Sequence, residues 1–245
     1  MDKKNQIVNS MYIGINLTNI EHICLKSFVE MGHSVHLYVY DPVGNVPKGV
    51  KQKDASKYVS KDLIYENNVN PKNLFSSFSD IFRYTMLYRE GGWWIDTDAY
   101  CVKPFDFKQT YIFPTEINWD GEQMPCSGVI KVPPKSEIMR VAISESWKIV
   151  RRDQNHEWAD IGPLMMGSLV DKLSLKKYRL PYNYFMPFSW RYIEELLTEK
   201  EPPSLPENCY SVHFYGSKWS EREKKRPYAK HSAFERLRRG ENVWR

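Results

Sequence analysis

The sequence predicts a single α/β domain built around a parallel sheet, and three observations support this. The first forty residues follow a strand–helix–strand pattern, and later segments keep alternating between strand and helix character. The chain has 245 residues, of which 42% are hydrophobic and 14% aromatic, enough for one sizeable core. Because a strand–helix–strand unit joins parallel strands, we also expect a ligand-binding crevice at the carboxyl ends of the strands.

The opening unit carries its own start and stop signals. Residues 6–15 are apolar enough for a strand, and Thr18 and Glu21 then have the spacing of a helix capping box. Gly32 stands where a left-handed residue would end that helix. Residues 33–40 alternate and are rich in β-forming side chains, which predicts the second strand.

The rest of the chain continues the alternation. Residues 78–90 predict a helix that is apolar on nearly all sides and therefore buried. Gly91 and Gly92 end it, and residues 93–95 form a short buried strand. Further strands are expected at 111–114, 129–132 and 210–215, and further helices at 136–150 and 164–173. Residues 42–61 show turn signals and no regular element.

Composition excludes several classes of protein. The charged fraction of 27% argues against general disorder, and no apolar run approaches the ~18 to 20 residues that cross a bilayer. The charged N-terminus lacks the apolar stretch of a secretory signal. The four scattered cysteines fit reduced thiols. We therefore expect a cytoplasmic protein.

Charge is concentrated at the C-terminus. Residues 218–245 contain ten Lys or Arg and four acids, a net charge of +6, which leaves −1 for the other 217 residues of a chain of net charge +5. We expect a main domain at 1–217 and a basic, helical tail at 218–245 that contacts an anionic membrane surface rather than nucleic acid. A solvated basic helix is an equally weighted alternative.

Two acidic residues form the centre of the predicted site. Asp96 and Asp98 follow a buried strand, and extended geometry directs both carboxylates to one face. Adjacent carboxylates repel unless a cation lies beside them, and a hard divalent ion completed by diphosphate oxygens suits such a pair. Two solvated acids in a turn are the simpler alternative, which the preceding Trp93-Trp94-Ile95 disfavours.

A second pair lies on the buried helix. Asp80 and Arg83 are three residues apart and share a face. A buried acid and base need each other or a ligand, so both are candidates for hydrogen bonds to sugar hydroxyls. The alternative is a structural ion pair that braces the helix. Gly91 and Gly92 permit the tight reversal and close backbone approach that a ligand needs.

The run SDIFRYTMLYREGGWWIDTDAYCVKPFD, residues 79–106, resembles the signature of glycosyltransferases with a DXD sugar-binding motif. That group includes capsular-polysaccharide and lipopolysaccharide transferases, eukaryotic α1,4-galactosyl and α1,4-N-acetylglucosaminyl transferases, and clostridial glucosylating toxins. Residues 11–41, DIGPLMM at 160–166 and SVHFYGSKW at 211–219 extend the resemblance. The chain departs from bacterial relatives at Tyr12, where Trp is common, and at Tyr215 or Gly216, where Asn is common.

The resemblance implies a GT-A fold, Rossmann-like and nucleotide-sugar-binding, in a single domain with small helical insertions. It implies a UDP-sugar donor and Mn²⁺, with Mg²⁺ as the alternative, held by Asp98 and His213. Mn²⁺ tolerates one imidazole among oxygen ligands. Asp80, Arg83 and Asp96 would be the catalytic residues. Donor and cofactor binding is assigned to Ile13 and Gly14 beside the uracil, Ser217 and Trp219 closing over the diphosphate, and Ser79, Asp80, Arg83, Gly91, Gly92, Asp96, Thr97 and Asp98.

The expected function is metal-dependent transfer of a hexose or N-acetylhexosamine, with retention, to a saccharide or lipid-linked oligosaccharide. The acceptor would belong to cell-surface polysaccharide or lipopolysaccharide synthesis at the inner face of the cytoplasmic membrane. A toxin-like effector that glycosylates a protein, a non-catalytic nucleotide-sugar-binding protein and a metal-dependent phosphohydrolase remain alternatives. Candidates for acceptor contact are the acids and aromatics Glu116, Asp120, Glu122, Asp160, Trp119, Trp158, Tyr182, Tyr184, Phe185 and Trp190.

Overall fold

The computed structural model describes residues 2–63, 74–118, 120–152, 156–198, 201–220, 223–224, 226–241 and 243–244. Its strands are β1 Ile7–Met11, β2 Ser34–Val39, β3 Lys51–Asp54, β4 Gly92–Ile95, β5 Ala99–Cys101, β6 Phe113–Ile117, β7 Gln123–Pro125, β8 Val129–Val132, β9 Arg179–Leu180 and β10 Ser211–His213. Its α-helices are α1 Lys3–Gln6, α2 Asn19–Glu30, α3 Leu74–Glu90, α4 Glu137–Arg152, α5 Trp158–Ile161, α6 Pro163–Lys172 and α7 Ala233–Arg238. Short 3₁₀ helices include Trp190–Leu197 and Gly216–Lys218.

A five-stranded sheet with the order β3-β2-β1-β4-β8 forms the centre of the fold. Strands β1 to β4 are parallel, and β8 runs antiparallel to β4. The chain steps outward from β1 to β2 and β3, then returns to place β4 on the other side of β1. The carboxyl ends of β1 and β4 therefore flank a topological switch point, where open α/β sheets bind ligands. This confirms the predicted fold class.

The opening unit forms with the predicted cap. The Glu21 carboxylate accepts a hydrogen bond of 2.7 Å from the backbone N–H of Thr18, and Gly32 has a φ of 85°. The first strand ends at Met11, four residues earlier than predicted. Ile15 is 80% exposed, because residues 12–18 leave the sheet to form the loop at its carboxyl end.

The long helix α3 is buried, as its composition predicts. Phe82, Tyr84, Met86 and Leu87 are completely excluded from solvent. The Tyr84 hydroxyl, buried with the ring, donates a hydrogen bond of 2.9 Å to the Ile161 carbonyl. The helix begins at Leu74, four residues before the predicted start, and carries Asp80 and Arg83 toward the end of β4.

The sequence pattern missed four strands. Strand β3, KQKD, is exposed throughout and pairs on one side with β2, so it lacks the apolar alternation that reveals a strand. Strands β5, β7 and β9 have only two or three residues. Each is held by tertiary pairing rather than by a local pattern.

The basic C-terminal segment packs onto the body of the chain. Ala233, Phe234 and Leu237 of α7 are buried in one cluster with Ile20 and Ile23 of α2. The expected boundary at 217/218 therefore does not coincide with a boundary of the hydrophobic core. Three arginines of this segment also form ion pairs, which join Arg236, Arg238 and Arg239 to Glu201, Glu235 and Glu241.

All four cysteines are buried and free, which matches the expectation of reduced thiols. Across the described ranges, no helix combines the length and apolar character needed to cross a membrane.

Candidate functional site

The site lies where β4 ends, beside the switch point of the sheet. The Asp96 N–H donates a hydrogen bond of 2.7 Å to the Gly128 carbonyl, which anchors the end of β4 to the loop before β8. A tight turn then leads to Asp98, whose carbonyl accepts a hydrogen bond of 2.8 Å from the Phe214 N–H. Antiparallel pairing of β5 and β10 places His213 opposite Ala99, next to this turn.

Asp96, Asp98 and His213 form a compact cluster. Each residue offers one ligand atom, and these atoms lie within 4.8 Å of one another. The Asp98 carboxylate is held on both sides, by His213 Nε2 at 3.0 Å and by the Gly216 N–H at 2.6 Å. In the described part of the chain, His213 Nδ1 is buried and has no hydrogen-bond partner. The structure thus brings together the two acids and the histidine that the sequence singled out.

Arg83 connects the helix pair to the acidic cluster. Its Nη1 lies 3.2 Å from Asp80 Oδ1 and donates to the Ser127 carbonyl at 2.6 Å, while Nη2 donates to Asp96 Oδ1 at 2.9 Å. The same Asp96 oxygen accepts a hydrogen bond of 2.8 Å from Trp94 Nε1. Asp80 and Arg83 are 4% and 5% exposed. The ion pair between Asp80 and Arg83 therefore braces the helix and also extends to Asp96, so that all three residues belong to one network.

Burial and charge shift the proton affinities of the helix pair. Burial raises the pKa of Asp80 to about 7, with the Arg83 guanidinium opposing the rise and Asp96 adding to it. Burial alone would lower the pKa of Arg83, but Asp96 and Asp80 together raise it. Arg83 is thus permanently cationic beside a carboxyl group that titrates near neutral pH.

Asp98 and His213 are both ionised at neutral pH. Burial opposes the charge on Asp98, but the His213 imidazolium and the Gly216 N–H outweigh it and lower the pKa of Asp98 to about 2. Burial would also lower the pKa of His213, but Asp98, followed by Asp96 and Glu116, raises it to about 9. A cation that binds His213 must therefore displace a proton.

Glu116 is a fourth carboxylate close to the cluster, and the sequence offered no pattern to separate it from other spare acids. It lies on β6, and burial raises its pKa, with His213 and the Tyr215 hydroxyl opposing the rise. Tyr215 packs edge-on against His213, with ring centroids 4.4 Å apart, and its hydroxyl donates to the Phe188 carbonyl at 3.0 Å. Tyr215 also holds a left-handed backbone, with a φ of 48°.

The residues fit a divalent cation. Burial raises the pKa of Asp80, Asp96 and Glu116, and a cation bound beside them would favour their ionised forms. Carboxylate oxygens with one imidazole are a donor set that suits Mn²⁺. Gly128 keeps the cluster open, because a Cβ there would lie 3.1 Å from Asp96 Oδ2 and 3.5 Å from His213 Nε2. Gly128 is a site residue that the sequence analysis missed.

Four more of the residues assigned to donor binding lie at the carboxyl end of the sheet or beside Arg83. Thr97 lies in the turn between Asp96 and Asp98, and the Ser79 hydroxyl lies 3.4 Å from Arg83 Nη2. Ile13 and Gly14 follow β1 at the same end of the sheet. A Cβ at Gly14 would lie 2.8 Å from the Tyr12 ring, so this glycine allows a close approach within the loop.

Gly91 and Gly92 lie at the opposite end of β4. Both have positive φ values, 64° and 84°, and a Cβ on Gly91 would lie 2.4 Å from the Pro134 nitrogen. The close backbone approach at Gly91 is therefore made to the chain's own Pro133-Pro134 segment. The structure does not bring these glycines to the acidic cluster.

The Ser217–Trp219 segment follows Gly216 closely, but Trp219 faces the C-terminal core. Its Nε1 donates a hydrogen bond of 2.8 Å to the Phe214 carbonyl, and its ring lies 5.3 Å from that of Phe234. Ser217 is exposed in the 3₁₀ turn. In this conformation the indole N–H is used within the protein.

The other acids considered for acceptor contact are dispersed. Asp120 and Glu122 are exposed in the turn after β6, and Asp160 accepts a hydrogen bond from the Glu157 N–H at the start of α5. Trp119 and the side chain of Trp158 lie outside the described residues.

These features define an α/β protein with a cluster of two acids and one histidine at the switch point of its sheet. Residues 9–116 match the family model described as a glycosyltransferase sugar-binding region containing a DXD motif. This region contains Asp96-Thr97-Asp98 as its DXD sequence, which confirms the resemblance seen in residues 79–106.

One solved glycosyltransferase structure shares this fold. The structure titled "PaToxG Glycosyltransferase" superposes with a TM-score of 0.54 at 16% identity, over 71% of this chain and 74% of that chain. A second solved structure, of a transferase mutant with two cysteines replaced by serine, has a TM-score of 0.41 at 10% identity, over 69% of this chain and 85% of that one. No curated protein sequence matches the chain. The chain thus shares the fold of a solved glycosyltransferase, and its residues 9–116 match a DXD-containing sugar-binding region.

Proposed function

We propose that the protein is a metal-dependent glycosyltransferase that uses a UDP-sugar donor. It transfers a hexose or N-acetylhexosamine, with retention of the anomeric configuration, to a saccharide in cell-surface polysaccharide or lipopolysaccharide synthesis. The observation that carries the proposal is the cluster of Asp96, Asp98 and His213 at the carboxyl end of β4. Two carboxyl groups and one imidazole are donors that suit a divalent cation shared with a diphosphate.

The proposed roles follow from what holds each side chain. Asp98 and His213, with Asp96 beside them, would hold Mn²⁺, which would supply positive charge to the departing diphosphate. Arg83 is fixed by Asp80, Asp96 and the Ser127 carbonyl, so its guanidinium keeps one orientation against the transferred sugar. Guanidinium N–H groups held in this way would donate hydrogen bonds to the sugar hydroxyls without reorganisation.

The transfer itself exchanges one bond for another at the anomeric carbon. The bond between that carbon and the phosphate oxygen breaks, the acceptor hydroxyl oxygen forms the new glycosidic bond, and the hydroxyl proton passes to the departing UDP. The Asp80 carboxylate is buried against the Arg83 guanidinium. Asp80 therefore positions Arg83 and does not attack the sugar.

Two features of the sequence bear on the acceptor and on the location of the protein. The resemblance of residues 79–106 to capsular-polysaccharide and lipopolysaccharide transferases supports a saccharide acceptor. The net charge of +6 in residues 218–245 supports a peripheral position on an anionic, cytoplasmic membrane face.

The test measures UDP release from a panel of UDP-sugars, with Mn²⁺ and with EDTA, for the wild type, Asp98→Ala and the exposed-acid control Asp120→Ala. We expect release from one donor, lost with EDTA and in Asp98→Ala and retained in Asp120→Ala. Release that survives both EDTA and Asp98→Ala would remove the metal from the proposal. Tight binding of UDP and Mn²⁺ without turnover, even with saccharides added, would show a binding protein instead.

A further inference from the structure

A groove with a volume of about 300 Å³ lies outside the acidic cluster and shares no lining residue with it. We call it the Trp190 groove. One wall is the 3₁₀ helix Trp190–Leu197, and the other is the segment that contains Lys218 and Trp219. Its volume lies at the lower end of the ~300–1,000 Å³ typical of small-molecule sites.

Both walls of the groove are tied to the proposed metal site. The first wall follows Phe188, whose carbonyl accepts a hydrogen bond of 3.0 Å from the Tyr215 hydroxyl. The second wall follows Gly216, whose N–H donates a hydrogen bond of 2.6 Å to Asp98. Two hydrogen bonds therefore link the segments that form the groove to Tyr215 and Asp98.

The groove offers an aromatic platform on an apolar floor. Trp190 is 39% exposed, an unusual setting for so large an apolar ring. Buried Ile193 and Trp219 lie beneath it. The Lys218 ammonium and the Arg191 guanidinium lie 5.2 and 5.6 Å from the Trp190 ring centroid. Cation–π pairs at exposed sites are weak, so a ligand can displace these flexible side chains from the ring.

The charges around the groove are of both signs. Arg191 and Lys218 are balanced by Glu194 and Glu223. An anionic lipid surface, a nucleic acid or a free phosphate would require predominantly positive charge. Mixed donors and acceptors around an aromatic ring instead complement a neutral ligand that is rich in hydroxyl groups and has an apolar face.

We propose that the Trp190 groove binds an uncharged saccharide, whose pyranose C–H face stacks on Trp190 while its hydroxyls meet the charged rim. This inference rests on the proposed function, because it identifies that saccharide as the acceptor. The groove holds the sugar beside Asp98, so that one hydroxyl reaches the donor.

Saturation-transfer NMR tests the groove without donor or metal. The probes are lactose, N-acetyllactosamine, maltose, cellobiose and chitobiose, with sialyllactose as the anionic comparison. The variants are Trp190→Ala, Trp190→Phe and the control Tyr192→Ala, which removes a 51% exposed ring from the same 3₁₀ helix outside the groove. Thermal melting verifies that each variant folds.

We expect at least one uncharged disaccharide to bind the wild type, with a fivefold or greater loss of affinity in Trp190→Ala. Trp190→Phe, which retains a stacking ring, and Tyr192→Ala should stay within about twofold of the wild type. The inference is overturned if no uncharged disaccharide binds, if sialyllactose alone binds, or if Tyr192→Ala loses as much affinity as Trp190→Ala. Trp190-dependent binding to anionic vesicles, without saccharide binding, would also overturn it and assign the surface to a membrane.

Measuring UDP release by the wild type alongside saccharide binding distinguishes failure of the groove proposal from failure of the proposed transferase function. Donor turnover without saccharide binding would reject the groove alone. Saccharide binding that depends on Trp190, without turnover of any UDP-sugar, would retain the groove and reject the transferase.

Discussion

The state of His213 gives a quantitative prediction about cation binding. Asp98 holds the imidazole through the 3.0 Å contact with Nε2 and, with its neighbours, raises the pKa of His213 from 6.5 to about 9. At pH 7.5 the ring is then almost fully protonated. A divalent cation that takes His213 as a ligand must therefore release about one proton per site.

The pKa shifts of His213 and Asp98 can each be converted into a free energy. The rise for His213 corresponds to about 3 kcal/mol, and the fall for Asp98 from 3.8 to about 2 corresponds to about 2 kcal/mol. Each shift measures how far the folded protein favours the ionised form of that group over its neutral form. Because the folded-state pKa of His213 is raised, the stability that its bound proton contributes is complete below pH 6.5 and is lost as the pH rises through about 9. For Asp98, the stability that its ionised form contributes is present above pH 3.8 and lost as the pH falls through about 2.

The assay is calorimetric titration of Mn²⁺ at pH 7.5 in two buffers that differ in ionisation enthalpy. The difference in observed heat should correspond to about one proton released by the wild type and to much less by Asp98→Asn, in which His213 loses its main partner. An NMR titration of the His213 ring, which should give a pKa well above 6.5 in the metal-free protein, is the independent control. Proton-neutral Mn²⁺ binding, or a ring that titrates near 6.5, would refute the reasoning.

Three further predictions follow from the geometry. Arg83→Met leaves the buried Asp80 and the partly exposed Asp96 without their cation and should lower the free energy of unfolding by about 3–5 kcal/mol in urea denaturation. A loss below about 1 kcal/mol would contradict the network. Gly128→Ala places a methyl group 3.1 Å from the Asp96 carboxylate and should weaken Mn²⁺ binding at least fivefold, while the melting temperature falls by only a few degrees; unchanged binding would show that Gly128 does not line the cation site. Lys230→Glu, at an exposed position of the basic segment, should reduce cosedimentation with phosphatidylserine vesicles severalfold at low salt, and an unchanged bound fraction would argue against membrane attachment through this segment.

The sequence predicted the parts of the site that depend on local geometry. Asp96 and Asp98 could be paired because a strand end repeats its side-chain direction every two residues. Asp80 and Arg83 could be paired because a helix brings residues three apart onto one face. Their partners across the network, the Ser127 carbonyl and Trp94 Nε1, depend on how α3 packs against β4 and β8.

The parts that the sequence could not predict depend on long-range pairing. Glu116 reaches the cluster because β6 runs beside β8, and Gly128 matters because its missing Cβ leaves space beside Asp96. The exposed rim of the Trp190 groove arises where two distant segments meet. For Trp219 the local motif predicts a contact with the ligand. In the structure the Trp219 indole packs in the C-terminal core and donates a hydrogen bond to the Phe214 carbonyl.

The central claim is that Asp96, Asp98 and His213 together hold a divalent cation. Electron paramagnetic resonance of Mn²⁺ titrated into the protein, with and without UDP, tests it most directly. The account predicts one bound Mn²⁺ in the wild type and in Asp120→Ala, tighter with UDP, and an affinity at least tenfold lower in Asp98→Ala and in His213→Ala. Equal Mn²⁺ affinity in all four proteins would contradict it.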